Sequence, residues 1–266
     1  MSQTINFIKM QGLGNDFILV DARQENLSEI DVSTLAVDVC DRHFGIGGDG
    51  LLVILPSDKA DVKMQIFNSD GSEPEMCGNG IRCFAKYVYE SSSEKKEIFS
   101  VETKAGVLVP AVIINNGIVV AVEVDMGAPK ILGDIELYGI RFSEISMGNP
   151  HAIAFVDDFS KISIIELGPK IENDTHFPYR TNVEFVKVLG DQEIEIKVWE
   201  RGAGETLACG TGACAAVAAA ILSGKTKRRV LVHLPGGNLD IEWPEDNASI
   251  VMRGPAEKVF EGRYFY

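Results

Sequence analysis

Two tetrapeptides, Cys77-Gly78-Asn79-Gly80 and Cys209-Gly210-Thr211-Gly212, lie about half the chain apart in 266 residues. Each opens an apolar segment with helical spacing. Ile81, Phe84, Ala85 and Val88 recur at i, i+3, i+4 and i+7 after the first, and Ala213–Leu222 is apolar all round after the second. A helix start presents unpaired backbone N–H groups and the positive end of the dipole. A thiol placed there is expected to favour its thiolate, with a pKa drawn below about 8.5 towards neutrality. The glycines let a ligand reach those N–H groups, and a carboxylate fits between two such starts that face each other. Thiols on opposite sides of the carbon bearing that carboxylate could take a proton from one face and return one to the other. Such an inversion needs one thiolate and one thiol, exchanging roles with direction. The N–H donors would stabilise the negative charge that develops on the carboxylate.

A single Cys-Gly-x-Gly reads as a structural turn; the duplication is what points to chemistry. Cys40, Cys83 and Cys214 read as packing residues, since Cys is among the most often buried side chains. Other polar residues gather in strand-end loops: Asn15, Asn68, Asn149 with His151, Asn182, and Glu200-Arg201 on a segment running directly towards Cys209. Taken singly, each Asn reads as a turn residue, His151 as a capped or core histidine, and Arg201 as a surface ion pair. Together they describe a pocket for ammonium and carboxylate groups, with Arg201 suited to bidentate carboxylate binding.

Strand-like segments must position these residues. Ala60–Phe67 alternates Val62, Met64 and Ile66 against Lys63, Gln65 and Phe67. Phe17–Asp21 reads as a short strand, and Glu193–Trp199 puts Ile194, Ile196 and Val198 on one face. Val107–Ile114 and Ile118–Val124 flank the hairpin signal Asn115-Asn116-Gly117, and Val230–Leu234 and Leu239–Trp243 flank Pro235-Gly236-Gly237-Asn238. No long alternation of strands and helices points to a doubly wound or TIM-type sheet. A helix without a polar face must be covered on all sides, here by sheet. The predicted fold is α/β of the α+β kind. It has two pseudo-symmetric domains, each a strand-rich shell wrapped around a central buried helix, with the active site in the cleft between them. The pattern pauses at Gly127, Pro129 and Gly133, which places the domains at 1–124 and 125–256. The closing segment 257–266 is a candidate for return to the first.

Lys and Arg number 25 against 39 Asp and Glu, a net charge of −14, which argues against nucleic acid as a partner. The one tight basic run, Lys225–Arg229, is too short to outweigh it. Five cysteines are an odd count with no C-x-x-C pair, which disfavours a disulfide framework, a zinc ribbon and a thioredoxin-type site. The opening residues hold no long apolar run, so no signal peptide is expected. No apolar stretch is long enough to span a membrane. The expected protein is soluble, cytoplasmic and acts on a small molecule, with no metal.

The chain resembles the diaminopimelate epimerases, cofactor-independent amino-acid racemases of the bacterial lysine and peptidoglycan pathway. The likeness runs from GLGNDF at Gly12–Phe17 to the C-terminal strands. It is strongest in FNSDGSEPEMCGNGIRC at Phe67–Cys83, SMGNPH at Ser146–His151 and ERGAGETLACGTGAC at Glu200–Cys214. The resemblance implies that Cys77 and Cys209 are the two acid/base thiols. It further implies that Gly78, Asn79, Gly210 and Thr211 offer backbone N–H groups to the reacting carboxylate. Glu200 would hold the reacting ammonium with His151 assisting nearby, and Asn15, Asn68, Asn149, Asn182 and Arg201 would read the distal L-centre. It also implies a homodimer that needs neither pyridoxal phosphate nor metal. One departure is visible: some members carry Gln at the end of RHxGxGxDQ, where this chain has RHFGIGGDG and Gly50.

Three alternatives stay open at this point. Proline or hydroxyproline racemases resemble the first motif but typically carry His where this chain has Asn79. A thiol hydrolase would pair Cys77 or Cys209 with His151 and leave the second motif unexplained. A binding protein for dicarboxylic amino acids would need the Asn and Arg residues but neither thiol.

Overall fold

In the computed structural model, which describes residues 4–266, the chain divides into two compact units. One runs through Val124 and takes in Gly254–Tyr266; the other is Asp125–Arg253. The first contains β1 (Thr4–Gly12), β2 (Asn15–Asp21), α1 (Val32–Cys40), β3 (Gly50–Leu55), β4 (Val62–Asn68), α2 (Gly78–Ser91), β5 (Val101–Thr103), β6 (Gly106–Leu108), β7 (Ala111–Asn115) and β8 (Ile118–Asp125). The second contains β9 (Lys130–Leu137), β10 (Ile140–Ser146), β11 (Pro150–Phe155), α3 (Ile164–Glu172), β12 (Asn182–Gly190), β13 (Glu193–Glu200), β14 (Gly204–Thr206), α4 (Gly210–Leu222), β15 (Arg229–Leu234), β16 (Gly237–Glu242) and β17 (Val251–Gly254). The last strand, β18 (Glu257–Phe265), returns to the first unit and pairs antiparallel with β1, from Thr4↔Phe265 to Gln11↔Glu257. Residues 254–256, assigned above to the second domain, group with the first, so that β17 ends at the boundary between the two units.

The two units repeat one another strand by strand. The first orders its sheet β18-β1-β2-β3-β4-β5-β6, and the second runs β9-β10-β11-β12-β13-β15-β16. Both follow the same order of pairings, two antiparallel and then parallel and antiparallel in turn: β2 with β3 and β4 with β5 are parallel in the first, β11 with β12 and β13 with β15 in the second. Each parallel pair needs a crossover, and helices supply it. α1 and α3 occupy the first crossover of each unit, α2 and α4 the second. The mixed α+β class and the repeat are those predicted, and the strand pairing extends the repeat beyond its two cysteine motifs.

Two helices escape the sequence reading. α1 is short and starts at Asp31, whose carboxylate accepts the Ser33 N–H. α3 carries Pro169 inside it, a residue that argues against a helix. The strand expected over 107–114 is two, because Pro110 cannot donate to a ladder and parts β6 from β7. The Asn115–Gly117 turn is as expected, with Asn116 and Gly117 both at positive φ.

α4 is the centre of its unit. From Gly210 to Ala220 only Thr211 escapes full burial, and most of its side chains are no larger than Ala, so strands approach it closely. α2 buries a face that includes two charged residues, Arg82 and Lys86. Among the described residues no helix is long and apolar enough to cross a membrane.

Candidate active site

In the first unit the loop before α2 ends with Cys77 in extended backbone, and its sulfur accepts the Gly80 N–H at 3.4 Å. The β1–β2 turn brings Asn15 alongside. The Cys77 sulfur lies 3.8 Å from Asn15 Oδ1, to which Asn79 Nδ2 also donates at 3.1 Å. Arg82, fully buried one helical turn on, donates to Asn79 Oδ1 at 3.0 Å, to the Gly78 carbonyl and to the Pro255 carbonyl. The other end of Asn15 donates to Asp49 Oδ2 at 2.7 Å. Asp49 and Asp16 share Arg42, and Asp16 also pairs with Lys9 at 2.6 Å. Burial alone would raise the Asp16 carboxyl, but hydrogen bonds from Arg42 and Lys9 outweigh it and hold it at about 2. The amide of Asn15 is thereby anchored in an ion-pair network. Asn68 sits at the exposed end of β4, with its side chain on Ser72. It faces Gly50 across the β3–β4 ladder, where a Cβ at residue 50 would lie 2.6 Å from the Phe67 carbonyl. The backbone here has no room for a side chain at 50, which accounts for the glycine.

In the second unit β11, β12 and β13 end around the start of α4. Cys209 is 5 % exposed. Its sulfur is 3.5 Å from the Thr211 hydroxyl, and the nearby Glu200 carboxylate accepts from Thr206 at 2.5 Å. Burial pushes the Cys209 thiol well above its ordinary value, and the Glu200 and Glu184 carboxylates push the same way. Thr211 and the Gly212 N–H oppose them without prevailing. The helix start therefore does not lower this thiol's pKa: desolvation and two carboxylates outweigh it. Burial raises the Glu200 carboxyl too.

His151 is buried on β11. Its Nδ1 is 2.7 Å from Glu184 Oε1 and its Nε2 is 3.0 Å from Asn149 Oδ1. Asn149, in the turn after Gly148, donates to the Thr211 hydroxyl at 3.2 Å. Asn182 stands opposite His151 in the parallel ladder. Its side chain joins the Pro150 carbonyl to the Arg201 N–H. Arg201 is exposed, with Nη1 on the Tyr179 carbonyl, so its charge is available to a ligand.

The structure thus collects Asn15, Cys77, Gly78 and Asn79 in one unit, and Asn149, His151, Asn182, Glu200, Arg201, Cys209, Gly210 and Thr211 in the other. The Asn68 side chain hydrogen-bonds Ser72. Sequence reasoning missed Asp49, Arg82, Glu172 and Glu184. Glu172, 5 % exposed, holds Trp199 Nε1, Arg180 and the Gly202 N–H, and so fixes the loop that carries Glu200 and Arg201. A signal existed for Glu184, an acid inside the run Asn182-Val183-Glu184-Phe185-Val186. A charge in the middle of a buried strand is rare without a purpose.

Comparison with known proteins bears on what this machinery does. The family model described as "Diaminopimelate epimerase" matches residues 7–132 and 143–259. A protein of that name from Pelotomaculum thermopropionicum is 52% identical over 98% of this chain and 99% of its own length. One from Heliobacterium modesticaldum is 50% identical over 97% and 99%. Among solved structures, a Bacillus anthracis phenazine biosynthesis protein of the PhzF family shares the fold with a TM-score of 0.77 at 18% identity, covering 98% of this chain and 99% of that one. A hydroxyproline epimerase from Agrobacterium vitis does so at 0.73 and 15%, covering 99% and 92%. A match of the family model to residues 7–132 and 143–259 and identity near one half over almost the whole chain place this protein, an isomerase, in the diaminopimelate epimerase family.

Proposed function

We propose that this protein interconverts LL- and meso-diaminopimelate by a two-base mechanism without pyridoxal phosphate or metal, in the supply of lysine and peptidoglycan precursors. The observation that carries the reading is the duplicated cysteine at a helix start, once in each repeat. In the second repeat, Thr211 lies 3.5 Å from the sulfur, and the Glu200 carboxylate acts on it electrostatically. Buried and flanked by carboxylates, Cys209 rests as the thiol and is the proton donor of the resting enzyme; Cys77 is the base. The α-proton passes to the Cys77 thiolate, and the electron pair is delocalised into the carboxylate. The Cys209 thiol then delivers its proton to the opposite face, so the two cysteines end with exchanged protonation. Backbone N–H groups at Gly78, Asn79, Gly210 and Thr211 stabilise the carboxylate as charge builds on it. Glu200 takes the reacting ammonium, and the exposed Arg201 takes the distal carboxylate together with the asparagines.

Incubation with LL-diaminopimelate in deuterated water tests the reaction. Deuterium should enter the α-position as the meso isomer forms, and Cys77→Ala or Cys209→Ala should each abolish epimerisation. Unchanged epimerisation in either variant would sink the two-base scheme. The homodimer and cytoplasmic location belong to the same proposal. The exposed Val259, Phe260 and Phe265 on the edge strand β18 offer an apolar surface for self-association, and light scattering at one chain mass would refute the dimer.

A further inference from the structure

Glu184 is fully buried in β12, and one carboxylate oxygen, Oε2, has no hydrogen-bond partner among the described residues. Its other oxygen meets His151 Nδ1 at 2.7 Å. The space it occupies exists because residue 212 is glycine; a Cβ there would collide with Glu184 Oε1. A buried carboxylate kept in such a slot is costly unless something uses it.

We infer that Glu184 is a positioning residue for the proposed reaction: its carboxyl, through His151, sets the direction of a chain of hydrogen-bond donors that ends on the Cys209 sulfur. The direction follows from lone pairs. Asn149 turns a carbonyl oxygen, an acceptor only, to His151 Nε2 at 3.0 Å, so Nε2 carries a proton. Nδ1 and Glu184 Oε1 then have one proton to share at 2.7 Å, since two bare lone pairs would repel at that distance. The pair is neutral as a unit, as full burial favours. Asn149 Nδ2 donates onward to Thr211 Oγ1 at 3.2 Å. The Thr211 oxygen, already accepting, aims its own proton at Cys209 Sγ, 3.5 Å away. A donor on the sulfur favours the thiolate that Cys209 must become when roles exchange. The titratable groups that act on Cys209 are Glu184 from β12 and Glu200 from β13, and His151 from β11 acts on Glu200.

The inference rests on Cys209 acting in proton transfer, so its test reads the thiol without turnover. Iodoacetamide labelling across pH, resolved by peptide, follows Cys209 in Glu184→Gln and Glu184→Leu. The Gln amide can still donate to Nδ1 and keep the chain, whereas Leu cannot. Expected are a Cys209 labelling midpoint near wild type in Glu184→Gln and one about a pH unit higher in Glu184→Leu. With that shift should come a roughly tenfold lower kcat and little change in KM. Equal midpoints in the two variants, or Gln as impaired as Leu, would overturn the chain. Nitrogen-15 spectra of the wild-type enzyme provide a test without any variant: His151 must carry a proton on Nε2, and a bare Nε2 overturns the inference. If labelling shifts as expected while no variant or wild type epimerises, the proposed reaction falls and the chain stands.

Discussion

At the scale of the residue, the two thiols keep different company. Cys77 is half-buried beside the anchored amide of Asn15. Cys209 is buried among groups that act on its proton, burial and carboxylates raising the thiol and Thr211 opposing them. Removing the Glu200 charge should ease ionisation, because a negative neighbour disfavours a second negative charge. The labelling midpoint of Cys209 in Glu200→Gln is therefore expected to move to lower pH, opposite to Glu184→Leu. Epimerisation should fall by about a hundredfold or more as the ammonium partner is lost. A midpoint that rises, or activity near wild type, would contradict the role given to Glu200.

At the scale of the element, α2 and α4, the two helices that follow a cysteine, both start with glycines, yet the glycines do different jobs. A Cβ at Gly80 meets Ile66, Cys77 and Leu52 atoms at 3.3 to 3.4 Å, a tight fit that side chains can relieve. At Gly212 it runs into the Glu184 carboxylate, itself pinned by His151. Gly212→Ala is expected to cost about 1–3 kcal/mol and most of the activity, and Gly80→Ala clearly less. Thermal melts of the two variants, compared side by side, check this, and equal losses would refute it. The same reasoning applies at Gly50. Gly50→Gln restores the residue some relatives carry, but the Phe67 carbonyl occupies the space. A lowered Tm without improved KM is expected, and a gain in both would show that the backbone yields.

At the scale of the molecule, the chain closes its first unit with its last strand. β18 covers the edge of β1 along eight paired positions, and Tyr264 packs on the core that contains Ile5 and Phe7. Deleting 257–266 should lower the Tm and promote aggregation, because a long strand edge is left open to pairing with other chains. An unchanged melting curve would show that β18 contributes little to the unit.

The repeat, the buried helix α4 and the two cysteines at helix starts are legible in the sequence because each rests on a local rule. Period, glycine placement and the absence of a polar face all act within a few residues of themselves. Asn15, Asn149, His151, Glu200 and Arg201 are legible as candidates for the same reason, as polar residues at strand ends. α1 and α3 were not, because one is short and the other contains a proline that only its packing makes tolerable. What only the tertiary structure decided is the electrostatic state of the site. The helix start alone argued for a lowered thiol, but the Cys209 proton answers to burial and to carboxylates from β12 and β13. Those charges come from residues distant in sequence, and desolvation is a property of the assembled interior. Glu184 stands out in the sequence only as one acid in an apolar run; its partner His151 and the Gly212 slot it fills come from the tertiary structure.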